Sequence, residues 1–148
     1  MTDIEDLLIK QEAVRLRPYD DATGKPLQPG DVLIGKLTIG CGRNLSDTEL
    51  SQEEWQMMLS RDIASAIRDV RVLCPVYDAL SRPRQLVLIS LAFNLGRARL
   101  SLFKRFISAV EVGDYDSAAD ELLDSRAAKQ APYRYNQLAW MMRKDCLA

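Results

Sequence analysis

Ile4, Leu7 and Leu8 recur at helical spacing with Gln11 across residues 3–14, and Asp3, Glu5 and Asp6 crowd the first turn, where they suit the helix dipole. A short amphipathic helix is predicted there. From Arg17 to Leu45 the period changes. Pro18, Gly24, Pro26, Pro29, Gly30, Gly35, Gly40 and Gly42 punctuate short β-prone pieces, DVLIG and KLTIG among them, which predicts a small lobe of β hairpins. Ser51 followed by Glu54 makes a capping box, and Trp55, Leu59, Ile63, Ile67 and Val70 then share one face. A long helix is expected over about 52–72, linking the β lobe to the rest of the chain. After Pro75 the stretches 83–95, 99–111, 115–123 and 133–146 read as helices separated by Gly96, Gly113 and Pro132. The segment 83–95 is rich in Leu, Val and Ile all round, as a buried central helix is. The pattern predicts an α+β chain, mainly α. It has a β-rich lobe over about 15–50, the linking helix, and a helical lobe over about 73–148 that takes in the N-terminal helix 3–14. Trp55, Trp140, Met141 and Met142 are expected in the core, because large apolar side chains are usually inside.

Length and composition narrow the class. A chain of 148 residues, 47% hydrophobic and 28% charged, is the size of one domain with a real core. The dense apolar run Leu86 to Phe93 is too short to span a bilayer, and the acidic N-terminus does not read as an export signal. Cys41, Cys74 and Cys146 form no ligand spacing and cannot all pair, so they are expected reduced and buried. Residues 1–70 hold 8 Lys and Arg against 13 Asp and Glu, whereas 71–148 hold 12 against 8. A basic half suits any anionic polymer, a nucleic acid or a bacterial wall alike, and solvated helix faces explain it equally well. The absence of histidine is more decisive. It removes Ser-His-Asp and Cys-His catalysis and His-ligated zinc hydrolysis, so in a hydrolase carboxylates must move the protons.

Glu12 shares a helix face with Ile4 and Leu8, close to the helix C-terminus. Burial and the negative helix end both disfavour its anion, a setting that suits a general acid. A structural salt bridge to Arg15 or a distant Arg fits the position as well. Asp20 and Asp21 follow at the mouth of a turn, either as a second carboxylate facing the helix end or as an ordinary Asx turn. Thr38 sits in LTIGCGRN, where Gly40 and Gly42 leave one strand face bare, for a ligand or for a plain hairpin.

The string from Glu12 through Arg15, Arg17, Pro18, Tyr19, Asp20 and Asp21, then Gly24, then Leu37-Thr38-Ile39-Gly40-Cys41-Gly42, resembles the signature of the phage-type lysozymes, glycoside hydrolase family 24. Asp62, Pro75-Val76-Tyr77-Asp78, Phe93-Asn94-Leu95-Gly96, Ser125-Arg126 and Pro132-Tyr133-Arg134 continue the resemblance over nearly the whole chain. It implies a lysozyme-like fold and an endolysin that hydrolyses the β-1,4 bond between N-acetylmuramic acid and N-acetylglucosamine in peptidoglycan, with inversion and without cofactor or metal. Glu12 is then the general acid, and Asp21 and Thr38 hold the attacking water, with Asp20 the second choice for the carboxylate. Phe93, Asn94 and Arg134 are candidate substrate contacts, for which a core Phe, a helix C-cap Asn and a solvated Arg are equally good accounts. Three departures stand out. Ala13 replaces the Gly that commonly follows the Glu, at little cost if it is helical. Lys25 to Lys36 inserts about a dozen residues relative to the shortest members, for which a longer hairpin is the simplest accommodation. Arg43 stands where the family often has His, and an Arg43–Asp62 ion pair joining the lobes is expected.

Two other readings compete. A lytic transglycosylase cleaves the same bond with one Glu, but would leave Asp21 and Thr38 without a task. A noncatalytic wall-binding or nucleic-acid-binding protein would not need the three together, and no nucleic-acid motif is present. The family resemblance further implies a monomer without stable membrane insertion. Such a protein accumulates in the host cytoplasm until a separate membrane-disrupting protein opens the way to the wall.

Overall fold

A computed structural model describes residues 2–148, and their contacts divide the chain into two compact units, Met1–Glu54 and Trp55–Ala148. The first holds α1 (Asp3–Glu12), β1 (Arg15–Asp20), β2 (Leu37–Gly40) and β3 (Arg43–Asn44). Thr2 and Glu5 close a capping box on α1, and none of that helix's residues is buried. The three strands form one antiparallel sheet in the order β1-β2-β3, with Tyr19 opposite Thr38 and Thr38 opposite Asn44. α1 falls in the same unit as the strands. Among the described residues of this unit only Tyr19, Asp20 and Thr38 are buried, and two of the three are polar. Hydrogen bonds, more than apolar burial, hold it together.

Ala13 is a correction. It lies outside the helix, with φ 57° and ψ 159°, in a region that essentially only glycine occupies. A side chain there costs on the order of 1–3 kcal/mol, partly offset because alanine restrains the unfolded chain. Ala13→Gly is therefore expected to stabilise the protein by about 1 kcal/mol, read as a higher denaturant midpoint at unchanged slope. A lower midpoint would show that the strain is absorbed elsewhere.

The stretch 31–35, read as β-prone, forms no strand. The main chain beyond β1 turns at Gly24, makes one isolated bridge between Tyr19 and Pro26, and returns irregularly to β2. The expected longer hairpin is a loop because the Ile34 and Gly35 N–H groups that a ladder would use are bonded to the Asp20 carboxylate, at 2.6 and 3.1 Å.

α2 (Gln52–Leu73) starts at the expected box, the Ser51 N–H donating to Glu54 and the Glu54 N–H to the Ser51 hydroxyl. A single 3-10 turn (Tyr77–Ala79) leads to α3 (Arg82–Leu100), which kinks at Gly96, where φ is 72°. Next come α4 (Lys104–Glu111), α5 (Tyr115–Leu123), the short α6 (Arg126–Gln130), which the hydrophobic pattern did not mark, and α7 (Pro132–Lys144). Val87, Leu88 and Leu91 of α3 sit at the centre of the second unit's core with Val70, Phe106, Leu122 and Met142. Together they make the lysozyme-like α+β fold expected of the chain. Among the described residues no single helix is long and apolar enough to cross a membrane.

Met141 and Met142 are buried as expected, but Trp140, on the opposite face of α7, is 45% exposed and Trp55 is 40% exposed. The cysteines also divide. Cys74 is buried, whereas Cys41 and Cys146 are exposed. Burial, with Glu111 adding to it, pushes the Cys74 thiol up to about 11. At pH 8 a thiol-alkylating reagent is expected to mark Cys41 and Cys146 quickly and Cys74 only on unfolding, as peptide mass mapping reads out. Fast labelling of Cys74 would refute its burial.

Candidate active site

The site in the first unit is built around the peptide of Lys36. Its N–H donates to Asp21 Oδ1 at 2.6 Å, and its carbonyl accepts the Asp21 N–H at 3.1 Å and the Thr38 hydroxyl at 3.2 Å. One peptide group thus ties Asp21 and Thr38 together, though they are far apart in sequence. Asp21 is exposed, while Thr38 is buried.

Asp20 and Asp21 are held in different ways. Asp20 is 3% exposed and accepts the N–H groups of Ala22 (2.9 Å), Ile34 and Gly35, so it latches the loop after β1 to the residues entering β2. Its carboxyl is held below the ordinary carboxylate range, chiefly by the Ile34 N–H. The anion is the latching form. Its contribution is therefore complete above the ordinary value of about 3.9 and is lost as pH falls below that through the lower native value. In NMR titrations the Ile34 and Gly35 amides of the wild type are expected to shift with a midpoint below about 3.9, and those of Asp20→Asn to show no such step. A wild-type midpoint at or above the ordinary value would mean that the latch is weak.

Glu12 closes α1, where the negative helix end lies. It is exposed rather than set among apolar side chains. Arg15, the partner weighed for it, donates to the Gly24 carbonyl at 2.6 Å and stacks over the Tyr19 ring at 4.3 Å. Among the described residues Glu12 takes part in no ion pair. Its carboxylate lies over Gly42, where an added Cβ would stand 3.2 Å from Glu12 Oε2. Gly42 has φ 71°, so both its backbone and its bare face call for glycine.

Arg43 is taken up within its own unit by Glu54. Its two terminal nitrogens grip the Glu54 carboxylate, and Nη2 also donates to the Glu49 carbonyl at 3.0 Å. Glu54 is favoured because the α2 capping box already fixes its carboxylate beside β3. The Ser51 N–H first, and Arg43 after it, hold its pKa down. Asp62 lies further along α2, exposed. Sequence reasoning gave Glu54 a capping role alone and missed its second one.

In the second unit Asn94 and Arg134, 40 residues apart, are brought together, Arg134 Nη1 donating to Asn94 Oδ1 at 2.8 Å. Asn94 Nδ2 donates back to the Ser90 carbonyl at 2.7 Å. Phe93 beside them is 46% exposed.

A helical array, a three-stranded antiparallel sheet and a glutamate ending the first helix define the lysozyme class of α+β proteins. The family model described as phage lysozyme matches residues 9–134, and the chain belongs to the phage lysozyme family. It is 26% identical over 154 aligned residues to the pre-baseplate central spike protein Gp5 of Enterobacteria phage T4, covering 93% of this chain and 27% of that protein. It is 27% identical over 95 residues to probable T4-type lysozyme 2 of Dictyostelium discoideum, covering 62% of this chain and 56% of that protein. The chain thus spans about a quarter of the length of the first relative and about half of the second.

Proposed function

We propose that the chain is a muramidase that hydrolyses the β-1,4 bond between N-acetylmuramic acid and N-acetylglucosamine in bacterial peptidoglycan. Family membership supports a lysozyme-type activity. The observation that carries the residue assignment is the division of labour among the carboxylates. Asp20 is consumed by the loop, while, among the described residues, Asp21 has one oxygen fixed by Lys36 and no donor to the other, and Glu12 takes part in no ion pair. In this reading the Glu12 carboxyl gives its proton to the glycosidic oxygen as the C–O bond breaks. Asp21 takes a proton from a water on the opposite sugar face, and Thr38, whose hydroxyl proton is committed to Lys36, adds a lone pair. The water oxygen bonds to the anomeric carbon with inversion. Phe93, Asn94 and Arg134 contact the glycan or its peptide, and the protein works as a monomer. Its biological role is host cell lysis, the protein waiting in the host cytoplasm for a membrane-disrupting protein to release it to the wall. The match to a spike protein over 93% of this chain supports a second setting, in which the same chemistry serves a larger phage assembly.

Digestion of intact sacculi tests the reaction, with mass spectrometry of the released glycan ends and NMR of the first anomer formed. Hydrated, reducible muramic ends in the α configuration are expected. Anhydro ends would make the protein a transglycosylase, a β first product would exclude inversion, and no cleavage would leave a wall-binding protein.

A further inference from the structure

A cavity of about 780 Å³ opens in the second unit where the end of α3, the start of α4 and the turn between α5 and α6 meet. It involves no residue assigned to the proposed reaction. Its wall is apolar, with Leu95, Phe103 and the buried Phe106, and Leu102 adds to it from the rim, 74% exposed. Its charge is lopsided. Arg99, Lys104, Arg105 and Arg126 line it against two carboxylates, Glu121 and Asp124. Arg105 meets Glu121 only loosely, at 3.8 Å, and among the described residues Arg99, Lys104 and Arg126 take part in no ion pair. Elsewhere in the same unit some arginines find carboxylates, while Arg61, Arg68, Arg82 and Arg97 take part in no ion pair among the described residues. Arg71 pairs with Asp78, Arg84 with Asp145, and Arg143 with Asp116 and Asp120.

An apolar recess of drug-sized volume with unpaired cations at its mouth matches one ligand chemistry. We infer that this cavity binds an anionic amphiphile, a short apolar chain or ring carrying one phosphate or carboxylate group. The chain covers Phe103, Phe106 and Leu95 and removes their apolar surface from water. The anionic head meets Arg99, Lys104 and Arg126, and the arginines can take its oxygens two at a time. Neither half alone satisfies the site. An inorganic anion leaves the apolar wall wet, and a neutral chain leaves the cations unpaired.

The test is calorimetric titration of the whole chain with hexyl phosphate below its micellar range, with inorganic phosphate and with hexanol. Hexyl phosphate is expected to bind at one site, at least tenfold more tightly than either fragment. The double variant Arg99→Gln, Arg126→Gln, whose changed side chains are exposed, is expected to weaken that binding about tenfold. It should leave the thermal midpoint and any glycan-cleaving activity unchanged. Chemical-shift changes confined to the Phe103 and Phe106 rings would place the ligand. Equal binding of hexanol and hexyl phosphate would reduce the site to a greasy dimple. Equal binding of inorganic phosphate would reduce it to a surface ion site. No saturable binding, or no loss in the double variant, would overturn the inference. Because the readout is binding and not hydrolysis, these outcomes stand apart from the fate of the proposed reaction.

Discussion

Glu12→Gln is expected to lower glycan cleavage on the order of a thousandfold while leaving the fold and its denaturant midpoint in place. The amide keeps the shape of the carboxyl but has no proton to give to a leaving sugar oxygen. Because Glu12 is exposed and takes part in no ion pair among the described residues, the substitution orphans no buried charge. A structural role would show the reverse pattern, lost stability with residual activity in the molecules that still fold. The experiment compares turnover of a soluble glycan with circular dichroism and urea unfolding on the same samples. Activity within tenfold of wild type would remove Glu12 from the reaction.

The second large effect is expected at a residue with no functional group. Gly35 lies against Asp21 and Ala22. A Cβ there would overlap Asp21 Oδ1 and stand 2.7 Å from Ala22 Cβ and 2.8 Å from the Ala22 backbone nitrogen. Since two of these atoms belong to the backbone or its first carbon, relief requires the chain itself to move. Gly35→Ala is expected to cost roughly 1–3 kcal/mol of stability. It should also lower activity on the order of tenfold or more, because the displaced carboxylate is the one proposed to hold water. Val32→Ala, three residues away at an 84% exposed position, is the control and should change neither. Equal, small effects of both substitutions would show that the loop tolerates movement and that Asp21 does not depend on it.

Much of this was legible in the residues. The helix over 115–123 agrees with the structure to the residue, because Gly113 and the apolar Ala118, Ala119 and Leu122 leave one solution for the pattern. The Ser51–Glu54 box fixed the start of α2 for the same reason, since both partners are local. Long-range competition was not legible. Ile34 looks like a strand residue until Asp20, fourteen positions earlier, claims its N–H. Arg43 could pair with any nearby carboxylate, and only the folded approach of β3 to Glu54 makes that pair. Helix propensity says nothing about Ala13, one step past the helix end, where φ turns positive. At the site, the choice between Asp20 and Asp21 rested in the sequence on family register. The fold adds support to the proposed assignment of Asp21, because three N–H donors already satisfy Asp20.

The Asp20 latch closes the loop at its root, through the residues on either side of the sheet. Between Leu27, whose N–H donates to the Pro18 carbonyl, and Ile34 the chain makes a small turn of its own, the Gln28 N–H bonding to Asp31 and the Asp31 N–H to the Gln28 carbonyl. Nothing lies within 4 Å of a Cβ built at Gly30. Loop closure grows only slowly with length, by about 0.6 kcal/mol for each doubling. The tip near Pro29 and Gly30 is therefore a place where foreign sequence, a binding peptide or a small domain, can be grafted into the chain while the anchor at Asp20 keeps Lys36 and Asp21 where they are.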